Sequence, residues 1–564
     1  LRFPLKLLRD FPKVFREIAD TGLSYVVSTD GSRYYVKDGS GGIVEYSDSD
    51  ASNAIQYAID KVVAKGGGTV LLREGKYYLS KTVSIQNAVN VELRGMGMGK
   101  TVVTPDTDDP SWSPVILVNN SNYIRLTGFT IDQRRTKSIS APEVVVITNS
   151  NYVETSYLEI TRYFPFALSF GRHADLSPGE TPPFSPVSNI YVHHNFIHDS
   201  VQDCGGDGIK TYATKNAVIT DNIILNSGDD CISIGGMGGY ESHNYVIANN
   251  ITAPGWCGNS IKLHTIYNQP PGDYPIRNVV IANNLAIPGS AGSGAIILSW
   301  ESSQTTSNPI ADVVIEGNRV ERIRISGATR VHINGNIVGE EIILFPSADW
   351  ATFAPQPMSD ILITNNRVGR IVMDVSVYRK ETQWSNIHIK GNVIKSTGTA
   401  IYIKANQIPI SYVYIEDNHI VGTRGVQIDG TVGADYVYIY RNRFIASDYD
   451  LFLNKYVQDH VYVYDNDFSY RILDNPGMAQ YRRNRGYPTE NSGVATFSGD
   501  GATKQFTISH GLVKQPNKIL VTPASADASG SYYVTADATY IYVNYITAPP
   551  AGTNNVVLFW SAEV

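Results

Sequence analysis

The chain is poor in sulfur: its 564 residues hold three cysteines and six methionines. Three thiols cannot all pair with one another, so no disulfide framework holds this fold together. Cys204, Cys231 and Cys257 recur at nearly one interval. That spacing leaves two readings open: one disulfide between neighbouring repeats, or a ladder of three small buried side chains. Long apolar runs are missing too, and none could span a bilayer. No signal peptide is visible; the chain starts at Leu1, as it would after removal of one or from an unusual start codon. Basic residues are not in excess either. A net charge of −7 gives no electrostatic footprint for nucleic acid as a partner.

What is abundant is repetition. A chain of this length exceeds an ordinary single core, but a solenoid escapes that limit because its core grows along one axis. From about residue 90 one phrase recurs: a small polar residue, alternating Val or Ile, then Asn. It reads Asn189-Ile190-Tyr191-Val192-His193-His194-Asn195 and again Asn216-Ala217-Val218-Ile219-Thr220-Asp221-Asn222, with later copies ending at Asn250, Asn284, Asn318, Asn336, Asn366, Asn392, Asn418, Asn442 and Asn466. The asparagines fall at strand ends, where Asn tolerates a left-handed turn and can form side-chain ladders between coils. We therefore expect an all-β fold, a right-handed parallel β-helix built as a single-stranded solenoid.

In chain order, residues 1–49 read as an N-terminal segment: a helix near 5–20 with Leu8, Phe11, Phe15 and Ile18 on one face, then short strands. The helix is read as packed on the body, or as an anchor or assembly element. Residues 50–469 read as the β-helix. It opens on a helix from Asp50 to Lys65, with Ile55, Ile59, Val62 and Val63 facing in, stopped by Gly66-Gly67-Gly68. Such a helix would cap the apolar end of the first coil. Residues 470–493, bearing Arg482, Arg483 and Arg485, read as a linker, and residues 494–564 as a small C-terminal β-sandwich.

The chemistry gathers in residues 204–264. Here one phrase appears in variants: Cys204-Gly205-Gly206-Asp207-Gly208-Ile209-Lys210, Gly228-Asp229-Asp230-Cys231-Ile232-Ser233 and Cys257-Gly258-Asn259-Ser260-Ile261-Lys262-Leu263-His264. Aligned on Ile209, Ile232 and Ile261, the residues Asp207, Asp230 and Asn259 form one vertical line, with Asp229 beside it. Strand alternation turns Lys210, Ser233 and Lys262 away from the isoleucines. Carboxylates on adjacent coils lie roughly 5 Å apart at the backbone. They repel, so at least one should hold its proton. One protonated acid and one ionised base is what glycoside hydrolysis needs. The competing reading is a calcium site, since three carboxylates suit a hard cation. Gly/Pro-rich insertions at residues 173–186, 235–242, 265–275 and 302–308 fall on these coils and would wall a cleft.

The Gly-Asp-Gly-Ile and Gly-Asp-Asp-Cys-Ile elements resemble those of polygalacturonase-type glycoside hydrolases of the pectin-lyase-like superfamily. The resemblance implies that Asp229 is the general acid, that Asp207 and Asp230 hold the attacking water, and that the anomeric carbon inverts. Two departures stand out. Trp256-Cys257-Gly258-Asn259-Ser260-Ile261 replaces the family's Gly-His-Gly element, and Gly294-Ala295-Ile296-Ile297-Leu298-Ser299-Trp300 replaces its Arg-Ile-Lys element. Lys210, Lys262 and His264 are the candidates to bind a substrate carboxylate instead, with Asn259, Trp256, Trp300 and Tyr212, and beside them Tyr240, as candidate cleft residues. No cofactor is expected apart from the calcium alternative.

A second surface feature is independent of the first. Aligning Asn418, Asn442 and Asn466 stacks Tyr414, Tyr438 and Tyr462 on the outer face, joined by Tyr412, Tyr436, Tyr440 and Tyr464. Such a column reads as an interface, a glycan-stacking surface, or cross-strand pairing for stability. The whole layout also resembles phage tailspikes. The expectation is thus a polysaccharide-active β-helix, extracellular or on a virion or cell surface. It is a hydrolase of an acidic glycan, with a glycan-binding spike, assembled as a homotrimer, or a calcium-dependent lyase as the alternatives.

Overall fold

The computed structural model describes residues 23–112, 114–138, 143–171, 186–201, 203–236, 242–265, 276–289, 293–299, 310–345, 358–375, 384–406, 409–454, 460–475, 477 and 479–564. The chain divides into two compact units, Leu1–Ile387 and His388–Val564. The expected helix over residues 5–20 lies outside the described residues.

The first unit opens on an antiparallel meander, Leu23–Thr29, Tyr34–Asp38 and Val44–Asp48. Its first strand then pairs in parallel with Gly68–Leu72, which starts the solenoid. Between them stands the helix Ala51–Ala64. Asp50 caps it by accepting from the Ser52 backbone N–H at 2.9 Å. Ile55, Ala58, Ile59 and Val62 are buried, while Val63 is only half-buried. The stop needs glycine: Gly67 has φ +131°, and a Cβ there would meet Asn90 O at 2.6 Å.

Every later ladder described in this unit is parallel. One row of inward positions runs Ile190, Ala217, Tyr245, Val279, Val313, Val331 and Ile361, in register from strand to strand. These side chains are all but sealed from water. Alternation then sends the flanking residues out, and this fixes which residues can meet a substrate.

The asparagines do more than the sequence suggested, and at a different position. Asn222 donates from its backbone N and its Nδ2 to Asn250 Oδ1, at 3.0 and 2.9 Å, and from Nδ2 to Val192 O at 3.0 Å. Asn250 repeats this toward Asn284, Asn284 toward Asn318, and Asn318 toward Asn336. The left-handed turn is not made by these residues. It belongs to the residue just before each: His194, Asp221, Asn249, Asn283, Gly317 and Gly335 all have φ between 54° and 64°. The asparagine is thus the buried staple of the corner, and its predecessor takes the strained backbone.

In the second unit the same ladder runs from Asn392 through Asn418, Asn442 and Asn466 to Asn484. Asn484 corrects the expected linker. Arg471–Asp474 and Gln480–Arg482 pair in parallel with the preceding coils, so the solenoid continues through residues 470–485. The Arg and Pro content that suggested a linker reflects exposed side chains: Arg483 pairs with Asp465 and Arg485 with Asp467. From Glu490 the pairing becomes antiparallel, in two three-stranded sheets. They close on a separate core of Phe506, Ile508, Ile541, Val543, Val556, Leu558 and Trp560.

The outer tyrosines of this unit form two columns. His388, Tyr414, Tyr438 and Tyr462 stack at 4.4, 4.9 and 5.0 Å, and Tyr412, Tyr436 and His460 at 4.9 and 4.3 Å, with planes within 15° of parallel. Inner rings of each column are covered on both faces by their neighbours, as cross-strand stacking requires.

Candidate active site

The site is carried by one ladder of the first unit: Leu168–Phe170, Ile209–Tyr212, Ile232–Gly236, Asn259–Thr265 and Ser293–Ser299. Ile209, Ile232 and Ile261 are in register and have no exposure. Lys210, Ser233 and Lys262 follow one position on, turned to the opposite side, as alternation requires.

The expected vertical line is present as hydrogen bonds. Asp207 Oδ1 accepts from the Asp230 backbone N at 3.0 Å. Asp230 Oδ1 in turn accepts from both the backbone N and the Nδ2 of Asn259, each at 2.9 Å. Asp229 stands beside this line on the corner, and one oxygen from each of Asp207, Asp229 and Asp230 lies within 4.8 Å of the others. Asp207 and Asp230 are each only 2% exposed, whereas Asp229 is partly open to solvent.

Charge is balanced from the outer row. Lys210 Nζ sits 2.8 Å from Asp207 Oδ2, donates to Ser233 Oγ at 2.7 Å, and lies 3.2 Å from His264 Nε2. Ser233 Oγ is also 3.2 Å from His264 Nε2. The Lys210 ammonium is further enclosed by the rings of Phe166 and Tyr212, 5.5 and 5.3 Å away. Lys210 therefore faces the carboxylates but is buried, and so is Tyr212. Lys262 is more open; its Nζ is 3.8 Å from Asp230 Oδ2. Trp256 is half exposed. Trp300 and Tyr240 lie outside the described residues, as do most of the four inserted loops.

These surroundings set the protonation. Burial, with the charges of Asp230 and Asp207 added, pushes the Asp229 carboxyl up to about 8. Asp229 is thus protonated at neutral pH. Burial likewise raises Asp207, against the pull of Lys210. Burial pulls Lys210 down, but Asp207, Tyr212 and Asp230 together outweigh it and hold the ammonium charged. We take Asp207 and Lys210 as an ion pair, because an ammonium at 2.8 Å has no better use for its charge.

A hard cation fits this donor set poorly. Calcium takes roughly six to eight oxygen ligands. Here Asp207 already meets an ammonium, Asp230 Oδ1 is taken by two N–H donors, and Lys262 stands close by. The same groups would repel a second positive charge.

Three residues of the site escaped the sequence. Ser233 was aligned with the lysines but not recognised as the hinge between Lys210 and His264. Phe166 forms the floor under Lys210, and it could have been found by extending the register from Leu168 back two positions. Glu143 sits on the same vertical line still further back, buried, with Ser169 Oγ donating to it at 3.5 Å. Sequence spacing hid it because the coil between carries Phe166 instead of a carboxylate. The cysteines resolve as well: Cys204 bonds Cys257, two coils away, while Cys231 between them is free and buried. The bridge thus skips the neighbouring coil.

No protein-family model and no curated sequence relative matches the chain. Solved structures do. A tailspike protein of the E. coli bacteriophage HK620 is 13% identical and aligns over 98% of this chain and 99% of its own, with a TM-score of 0.50. The chain has the parallel β-helix fold. An exopolygalacturonase from Thermotoga maritima is also 13% identical, over 76% of this chain and 95% of its own, at a TM-score of 0.40. The A-module of a mannuronan C-5 epimerase from Azotobacter vinelandii is 15% identical, over 78% and 96%, at 0.42. At such identities the likeness to β-helix proteins is one of fold, and activity has to be argued from the site.

Proposed function

We propose that this β-helix cleaves an acidic, uronate-containing polysaccharide by hydrolysis with inversion, outside the cell or on a virion or cell surface. One observation carries it: a half-open carboxyl that keeps its proton to about pH 8 stands beside two carboxyls buried from contact with a sugar. Asp229 is the proton donor to the glycosidic oxygen. Asp207 and Asp230 are too deep to attack the anomeric carbon directly, and in this reading they act through a water held between them and the sugar. They orient that water and take its proton as its oxygen bonds to the carbon and the glycosidic bond breaks. Asn259 fixes Asp230, and Lys262, the more open cation, is the ligand for a substrate carboxylate. Trp256, half exposed and three residues before Asn259, is the candidate to stack on a sugar ring.

The closest carboxyl oxygens, within 4.8 Å, are nearer the separation of retaining pairs than the roughly 6.5–9.5 Å of inverting ones. Burial of Asp207 and Asp230 favours inversion nonetheless, since neither can form a glycosyl bond. NMR of the first-formed anomer decides: the inverted anomer supports the water mechanism, and the retained one removes it. Reaction through a metal is not part of the proposal, so calcium and EDTA should leave the rate unchanged. A second reading, a glycan-binding spike with weak or no catalysis, is favoured by the alignment with a tailspike over nearly both full chains. A homotrimer by solution mass, binding glycans without new reducing ends, would select it.

A further inference from the structure

The bridge between Cys204 and Cys257 spans two coils and leaves the coil of Asp229 between its ends. Coils stack roughly 4.8 Å apart, so near-register positions two coils apart should be separated by roughly 9.6 Å. The two cysteine Cα atoms are 5.8 Å apart. The flanking turns therefore lean toward each other over the turn they enclose. That turn is Gly228-Asp229, and it is gripped from both sides. Asp229 N donates to Gly206 O at 3.2 Å on one side, and Gly228 O accepts from Cys257 N at 3.3 Å on the other. The bridge itself touches it, with Cys257 Sγ 3.4 Å from Gly228 O.

Glycines let the turns approach this closely. A Cβ on Gly258 would lie 2.0 Å from the Asp229 carbonyl carbon, and one on Gly228 would lie 2.4 Å from Asp203 O. The clamp thus acts on the backbone of two residues, Gly228 and Asp229. The Asp229 carboxyl has to meet a glycosidic oxygen within a fraction of an ångström and has to stay partly dry. Cys204 and Cys257 are themselves exposed.

We propose that the Cys204–Cys257 bridge is a positioning element for Asp229: it holds the acid's turn closed between the two neighbouring turns. This rests on the reading of Asp229 as the proton donor. The charged groups that face Asp229 are Asp207 and Lys210 on one coil, Asp230 on its own, and Lys262 on the next. His264 adds a titratable ring against Lys210. None of these is covalently tied to the bridge, so opening it should change water access more than charge.

The test compares wild type with the double variant Cys204→Ser/Cys257→Ser, and with wild type reduced by dithiothreitol while still folded. The Asp229 carboxyl is titrated by 13C NMR, with Asp229→Asn assigning the signal, and glycan cleavage is measured beside it. The expected result is a fall in the Asp229 pKa by about one unit or more. With it should come a drop in kcat of about tenfold or more, with KM changed by less than about twofold. An unchanged titration with an unchanged kcat overturns the proposal. So does a lower melting temperature with an unchanged titration, since the bridge would then only stabilise. If wild type cleaves nothing, the reading of function fails, but the carboxyl titration still decides the clamp. If the double variant does not fold, the reduced wild type decides it.

Discussion

Asp229 is where sequence, burial and chemistry meet. Its raised pKa has two consequences that can be measured separately. In the proposed role of proton donor it must be protonated, so activity should hold through neutral pH and decline as pH passes about 8. As a folded group it holds a proton that the unfolded chain has already released. Stability from this source is fully present below the unfolded carboxyl value of about 4 and is lost as pH rises toward 8. Asp229→Asn should therefore lower the cleavage rate on the order of a hundredfold or more and yet raise the melting temperature at pH 7. At pH 4 the gain in melting temperature should vanish. A variant that melts lower than wild type at pH 7 would show that Asp229 does not hold its proton in the folded protein. Lys262→Met should act on recognition, raising KM about tenfold with little change in kcat. The line of Asp207, Asp230 and Asn259 was legible because each stands two residues before an isoleucine, Ile209, Ile232 and Ile261. The surroundings of Lys210 were not, since a lysine on the outward row reads as solvated. Its burial comes from Phe166 and Tyr212, whose positions only the register reveals.

At the scale of the element, the asparagine corner shows how a recurring residue can be found and misassigned. Its recurrence was plain in the sequence. Its task was not, because Asn both tolerates left-handed backbone and makes side-chain ladders, and sequence does not say which is used. The structure divides the two between adjacent positions, Asp221 with φ +57° and Asn222 with its ladder bonds. Asn284 is buried and donates to Ile247 O and Asn318 Oδ1, while its own Oδ1 accepts twice from Asn250. Replacing it with Ala strands several buried partners and should cost about 3 kcal/mol or more in a denaturant titration. The outer asparagine Asn216 makes single side-chain bonds to Asn189 and Asn244, and it is partly exposed. Its own backbone is left-handed, with φ +57°, so Asn216→Ala should cost about 1–2 kcal/mol, still less than at Asn284. Equal costs at the two positions would contradict the distinction. The same scale explains the missed coil at residues 470–485. Its outward Arg and its loop residues masked a pattern that Asn484 completes.

For the molecule as a whole, the solenoid and its helix cap were legible from the repeat and from the Asp50-to-Gly68 transition. The C-terminal change of character was legible from the shift to short strands between turn clusters. The two antiparallel sheets have their own core around Ile541, Val543, Val556 and Leu558. A chain ended after residue 488 should therefore stay soluble and melt cooperatively; aggregation would mean that these sheets serve as a cap or an assembly element. The inserted loops that would wall the cleft carry no repeat, and so the sugar they select was never written in the pattern. The most direct measurement is a comparison of wild type and Asp229→Asn on a panel of acidic glycans, read for new reducing ends and for absorbance of unsaturated product. Wild type should give reducing ends without absorbance, and the variant on the order of a hundredfold fewer. Equal cleavage by both proteins, or an unsaturated product, would rule out acid-assisted hydrolysis at Asp229.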